Sequence, residues 1–364
     1  MDWWDVAIAA VKVLAIFALL MVVVLALVWA ERKIVADMQN RVGPNRAGPW
    51  GMLQTLADGM KLFFKEPITP RKAEFGMYIL APVIALVPAF LIFMVIPIGP
   101  SFTVTLGGIE RTISLQGTDL NIGLLYILAF SSVAVYAIVL AGWSSGSKYP
   151  LLGGVRATAQ AISYEAAMGL ALVPVVFYSG SLSIQKIVAS QSGSFADLFG
   201  WPILMVIPRW NIIPMFISFV IFFIAGVAET NRAPFDMVEA EQELVGGFHT
   251  EYSSIRFAFF FLAEYINMFN MSAITTTLFL GGWNGPTLDG RIPVWISALL
   301  PIAYFFIKTF AVLFLFMWIR ATLPRIRYDR LMTLGWKGLI PAALAWLVFV
   351  TIVVGIRQFG LPWA

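Results

Sequence analysis

The sequence predicts an all-α polytopic membrane protein: eight transmembrane helices, a cytoplasmic amphipathic helix lying in the membrane interface, and a short external β-hairpin. Composition is the first reason. Of 364 residues, 60% are hydrophobic and only 12% are charged, which sets the chain among multispanning membrane proteins. The second is that the apolar residues gather into eight runs, each near the length of about 20 residues that a helix needs to cross the hydrocarbon core. The third is the uneven sharing of Lys and Arg between the loops on the two sides.

In chain order, the runs fall at roughly 8–30, 75–97, 121–143, 157–179, 211–229, 256–280, 296–319 and 338–356. The first has no basic leader and no small-residue cleavage site, so it reads as an uncleaved span. Loops 31–74, 144–156, 229–256 and 320–337 hold 8, 2, 2 and 5 Lys or Arg, against five on the other face, at Arg111, Lys186, Arg209, Arg291 and Arg357. The positive-inside rule then puts both termini outside and the four richer loops in the cytoplasm. The net charge of +4 reflects this asymmetry and points to no nucleic-acid partner. Residues 102–117 alternate around Gly107-Gly108, as a β-hairpin does. No short repeat, low-complexity tract or soluble domain interrupts the pattern, so residues 1–364 read as one membrane domain. The absence of cysteine excludes disulfides and iron–sulfur ligation within the chain, and a single histidine argues against haem or a metal site.

In the first cytoplasmic loop, glycines and prolines at 43–49 break any helix, and one resumes over about 50–65. There Met52, Leu53, Leu56, Met60, Leu62, Phe63 and Phe64 are apolar while Asp58, Lys61 and Lys65 are polar. A helix lying in the interface fits this pattern. Its plainer role is a membrane-surface anchor; its functional role would be the lip of a lateral opening for a lipid-soluble ligand.

Three ionisable groups lie near the middle of spans. Glu165 is nine residues beyond Arg156 and Glu264 eight beyond Arg256, so both sit roughly 12–14 Å from the cytoplasmic helix ends. Lys308, twelve residues before Arg320, is about 18 Å in. Charges at such depth face a wet cavity or each other. A structural ion pair of Lys308 with Glu165 or Glu264 is one reading. Proton handling, with Glu229 added, is the other.

The stretch ETNRAPFDMVEAEQELVGGFHTEY from Glu229 to Tyr252 concentrates acid and holds the lone histidine. Pro234 suits the first turn of a helix, which would align Asp236, Glu239 and Glu243 on one face with Glu241 turned away. Gly246-Gly247 would end it before His249 and Glu251. Mutual repulsion raises carboxylate pKa values toward neutrality, where an unperturbed histidine also titrates. Proton exchange and docking to a basic partner are both open. A divalent metal would lack the spacing of a metal-binding loop.

These motifs resemble a known family. QNRVGPNRAGPWGMLQTLADGMKLFFKE, AGWSSGSKYPLLGGVRATAQAISYE, EAEQELVGGFHTEYSSIRFAFFFLAEY and WIRATLPRIRYDRLM are similar, in order and over nearly the whole chain, to the H subunit of NADH–quinone oxidoreductase, the quinone-facing membrane subunit of respiratory complex I. The resemblance implies a bacterial inner-membrane protein with eight spans, an external N-terminus and a quinone chamber at the junction with the peripheral arm. Arg32, Arg41 and Asp58 match positions near the quinone passage. Glu165, Glu229 and Glu264 match a line of buried glutamates leading toward the antiporter-like subunits. Asp236, Glu239, Glu241 and Glu243 match the acidic loop under the quinone. The redox centres belong to neighbouring subunits, so no catalytic redox residue, flavin, haem or iron–sulfur cluster is expected here, and ubiquinone or menaquinone binds as substrate. The partners implied are peripheral-arm and antiporter-like subunits and membrane lipids. Some family members carry a glutamate in the third span where this chain has Ser132; a hydroxyl or water bridges there, or the link is not needed. The membrane subunit of an energy-converting hydrogenase is the nearer alternative, against which QNRVGPNRAGP and GGFHTEYSS argue. A stand-alone secondary ion transporter would carry an inverted repeat with broken helices, which is not evident.

Overall fold

The computed structural model describes residues 3–106, 109–193, 208–236, 245–286 and 294–359. The apolar runs become helices because a backbone out of water must satisfy its own hydrogen bonds. In chain order the helices begin with α1 (Trp3–Met38), α2 (Gln54–Phe64) and α3 (Phe75–Phe93). Strands β1 (Phe102–Leu106) and β2 (Ile109–Ile113) follow, then α4 (Gly123–Ser144), α5 (Lys148–Ser179), α6 (Ile184–Ser190) and α7 (Phe216–Glu229). The chain continues through α8 (Ser254–Phe279), α9 (Val294–Thr322), α10 (Tyr328–Thr333) and, after a π-helical segment Leu334–Leu339, α11 (Ile340–Phe359).

Among the described residues, seven helical stretches are long and apolar enough to cross a membrane: α1, α3, α4, α5, α8, Leu299–Thr322 of α9, and Tyr328–Arg357. Residues 211–229, which the sequence presents as a full span, yield only the 14-residue α7, about 21 Å long. The cause is local. Asn211 is drawn into a turn, donating its side-chain amide to the Leu278 carbonyl at 2.9 Å and its backbone N–H to Gln191 Oε1 at 3.0 Å. Pro214 then has no N–H to extend the helix backward.

The hairpin forms as the alternation predicts, pairing antiparallel from Phe102 with Ile113 to Leu106 with Ile109. The helix expected over 50–65 starts later. Pro49–Gly51 make a 3₁₀ turn with Trp50 at φ 52° and Gly51 at φ 75°. A Cβ on Gly51 would run into the Pro44 backbone, so this turn closes tightly on the preceding loop and α2 begins only at Gln54.

Helix α8 is the most enclosed span and packs against α3 and α9, while α5 packs against α4, α7 and α11. Aromatic contacts such as Phe93 with Phe269 and Phe222 with Phe279 fill the centre. Val11, Leu14, Phe310, Phe314, Phe349 and Ile352 lie exposed on the outer faces. For a soluble domain that surface would be a liability; here it is where lipid tails pack.

Candidate functional site

At the C-terminal end of α1, Arg32 pairs with Asp58 of α2 at 2.6 Å, and Gln54 holds the other Asp58 oxygen at 3.2 Å. Trp29 donates to the Trp50 carbonyl at 3.0 Å. Ser254, the first residue of α8, has its hydroxyl within hydrogen-bond reach of the Lys65 carbonyl at 2.7 Å and the Leu62 carbonyl at 3.0 Å. Helix α2 is thus fixed between α1 and α8 while Met60, Phe63 and Phe64 face outward. Beside it runs a groove of about 700 Å³ lined by Glu31, Arg32, Arg41, Phe261, Tyr265 and Arg320. The two arginines that the sequence singles out, Arg32 and Arg41, therefore share one wall, with Asp58 bound to the first.

Sequence reasoning misses the charges behind that wall. Glu31 is 5% exposed and accepts hydrogen bonds from Arg232 at 3.0 Å, from Tyr265 at 2.6 Å and from Arg320. Arg232 Nε lies 3.0 Å from Glu264 Oε1, and its guanidinium sits 4.5 Å from the Tyr265 ring centre. Burial opposes the Arg232 charge, but Glu264 and then Glu31 more than offset it, so the pKa is raised and the cation persists. One guanidinium thereby bridges two carboxylates on different helices. Of these groups only Glu264 stands out in the sequence. The signal available for the others is an acid at a helix end followed at once by Arg32, and a lone cation inside an acidic stretch.

Glu264 also lines a cavity of about 100 Å³ together with Glu229, Asn231, His249 and Asn267. Glu229 and Asn267 face a second, about 40 Å³, that reaches Ser131 and Asn270. These volumes suffice for a few waters. Two adjacent serines of α4 meet two glutamates. Ser131 bonds Glu229 of α7, and Ser132 bonds Glu165 of α5 while lying 3.1 Å from the Leu128 carbonyl. Where the resemblance raised a missing third-span carboxylate, hydroxyls stand.

The loop after α7 is held by the fully buried Gln160, whose amide donates to the Ala228 carbonyl at 2.7 Å and the Phe235 carbonyl at 2.9 Å. Pro234 lies in a turn. The helix expected across 236–243, with Glu239, Glu241 and Glu243, falls outside the described residues. Asp236 is described and faces His249 closely enough to favour the imidazolium, yet burial dominates and pushes the His249 pKa down to about 4. His249 packs edge-on against Phe248 and Phe257. A 3₁₀ turn runs over Gly247–His249. A Cβ on Gly153 would lie 2.8 Å from Gly247 Cα, so α5 touches this turn backbone to backbone. The Glu251 carbonyl accepts from Tyr78 at 2.7 Å. Tyr78 stacks on Tyr252, whose phenol burial pushes up to about 12.

Lys308 lies elsewhere. Its ammonium donates to the carbonyls of Leu280 at 2.7 Å, Gly282 at 3.1 Å and Asn284, with the Trp210 ring 4.2 Å away. It thus closes the far end of α8 and forms no ion pair with Glu165 or Glu264.

The fold and these clusters define a multi-pass membrane subunit threaded by buried charge, with no group of three or more metal-ligating side chains among the described residues. Residues 11–351 match the family model described as NADH dehydrogenase. The NADH-quinone oxidoreductase H subunit of Streptomyces avermitilis is 51% identical over 369 aligned positions, covering 100% of this chain and 76% of the relative. Its counterparts in Frankia casuarinae and Frankia alni are 54% and 53% identical, each over 93% of this chain and 71% of the relative. The chain belongs to the family of NADH-quinone oxidoreductase H subunits.

Proposed function

We propose that this chain forms the quinone-access chamber of a proton-pumping NADH:quinone oxidoreductase and couples quinone reduction to proton translocation. The observation that carries the reading is the run of charged groups from the groove inward: Arg32–Asp58 and Arg41 at the mouth, Glu31, Arg232 and Glu264 behind, then two small cavities to Glu229, Ser131, Ser132 and Glu165. The groove suits a quinone, since Arg32 and Arg41 offer donors to a polar head and Val35, Val42 and Phe261 offer an apolar wall to a tail.

The chain carries no redox centre in this scheme. Electrons arrive from a peripheral-arm subunit, and quinone reduction consumes two protons beside the groove. A charge change there disturbs Glu31, and Arg232, shared by two carboxylates, passes the disturbance to Glu264 and the cavity behind it. The acidic loop, Asp236 with Glu239, Glu241, Glu243 and Glu251, would supply protons. Lys308 would act as a fixed charge at the far end. The chain is one domain with α7 as the short fifth of eight spans, seated in a bacterial cytoplasmic membrane with both termini outside. It contacts peripheral-arm and antiporter-like subunits and lipid.

Two substitutions in the assembled complex test this. Asp58→Asn is expected to lower reduction of long-tailed quinones severalfold and to spare NADH oxidation by a soluble acceptor. Glu229→Gln is expected to lower quinone reduction and pumping together at unchanged subunit content. Normal pumping at full turnover in Glu229→Gln would refute the path.

A further inference from the structure

Of the five basic residues on the Lys- and Arg-poor face, Arg111 is paired with Asp5. Two others converge. Tyr178 and Ser179 at the end of α5, Ser190 at the end of α6, Arg209, and Val354 and Arg357 of α11 line one cavity of about 300 Å³. Because the spans alternate in direction, this cavity lies at the opposite end of the bundle from Arg32.

Neither arginine makes an ion pair or side-chain hydrogen bond among the described residues. Each guanidinium carries five N–H donors that need acceptors at a membrane boundary. Three helices end here, and their negative dipole ends favour cations. That attraction is not a hydrogen bond, and several carbonyls near these ends already have partners. Gly180 N–H closes on the Val176 carbonyl at 2.8 Å, Ser179 Oγ on that of Val175 at 2.8 Å and Ser190 Oγ on that of Ile187 at 2.7 Å. The described residues thus present two convergent cations around a cavity and supply no anion to it.

We infer that Arg209 and Arg357 bind the phosphate of an anionic phospholipid at this face, with its acyl chain along the exposed Ile352, Val353 and Ile356 of α11. The exposed apolar residues in the turns of α11 that precede Arg357 argue for a lipid over free phosphate. Guanidinium matches a phosphate diester in two-point geometry. Two such cations, with no carboxylate among the residues lining the cavity, repel an ethanolamine ammonium, so an anionic head group is selected.

The test uses the intact complex that contains this chain, stripped of loose lipid and titrated with phosphatidylglycerol or phosphatidylethanolamine of identical acyl chains. Retained lipid is counted by native mass spectrometry. The wild type is expected to retain phosphatidylglycerol preferentially. R209Q/R357Q is expected to lose that preference by about tenfold or more, and R209K/R357K to keep part of it, because lysine retains charge without the fork. Subunit content certifies that each variant has assembled. Undiminished retention by assembled R209Q/R357Q, or equal retention of phosphatidylethanolamine by the wild type, overturns the site. Displacement by millimolar inorganic phosphate would make it a free-anion site and equally overturn the lipid assignment. None of these readouts depends on the quinone or proton reading.

Discussion

Arg232 and Lys308 are both cations drawn out of water, and they are held in opposite ways. Lys308 gives its donors to carbonyls of one short segment, Leu280 to Asn284, under the ring of Trp210. Backbone carbonyls do not titrate, and all three belong to the same turn, so nothing on the acceptor side can change its charge. Arg232 lies between Glu31 and Glu264, on helices α1 and α8, with Tyr265 and Arg320 also on Glu31. Its two acceptors are acids on different helices, so the guanidinium answers to the charge of both. A buried charge wrapped in carbonyls fastens; one divided between acids can respond. Packing repeats the contrast, since cavities adjoin Glu264 and Glu229 while the Lys308 end is stitched by Gln191, Asn211 and Asn284.

The largest effect is expected at Arg232. Arg232→Gln removes the cation shared by buried Glu31 and half-buried Glu264, and breaking a buried pair in this way costs about 3–5 kcal/mol. Assembled complex, quantified by subunit content, should fall steeply. Arg232→Lys should restore assembly but lose quinone reduction by about tenfold, since an ammonium cannot reach both acids with guanidinium geometry. Full turnover in Arg232→Lys would erase the difference between the two cations. Lys308→Met comes next. Losing charge-assisted bonds while also relieving the burial of a charge should leave a net loss of about 2 kcal/mol, read as a lower unfolding temperature. Turnover per assembled complex should not change; a fall would move Lys308 into the responsive class. The smallest effect is expected at His249. With its pKa pushed down to about 4 from an unfolded value near 6.5, the folded state resists protonation. Its stabilising contribution is complete above pH 6.5 and declines as pH falls toward 4. His249→Gln should therefore leave the pH–activity profile between pH 6 and 9 unaltered and flatten the acid side of a pH–stability curve.

Much of this is legible in the chain. Apolar runs mark the long spans, period-two alternation marks the hairpin, and the depth of Glu165 and Glu264 sets them apart. What stays hidden depends on contact between distant segments. Glu31 meets Arg232 across 201 positions and Arg320 across 289, and no local pattern records such a meeting. Distance along the helix from Arg320 places Lys308 at depth but ignores the neighbouring turn whose carbonyls receive it. Side-chain bonds to backbone leave no mark on residue type. The short α7 escapes notice for a like reason: Asn211 and Pro214 sit inside an apolar run, and the turn they make is decided by Gln191 and Leu278. His249 reads at its solution pKa because its residue type does not record that Phe257 folds back from α8 to pack on it.

The Ser132 hydroxyl carries a single hydrogen, and two oxygens lie within its reach, the Leu128 carbonyl and the Glu165 carboxyl group. It can point at only one. When Glu165 is ionised, the hydrogen goes to the carboxylate. When Glu165 holds a proton, the acid donates to Ser132, and Ser132 turns its hydrogen back to Leu128. The bond between Ser132 and Glu165 is then kept in both charge states, and passing between them takes one rotation about a C–O bond with the helices at rest. In the proposed path, such a rotor would let Glu165 change its charge without losing its bond to α4. An alanine at 132 would serve neither state, and a carboxylate there would bring a second charge that itself needed neutralising.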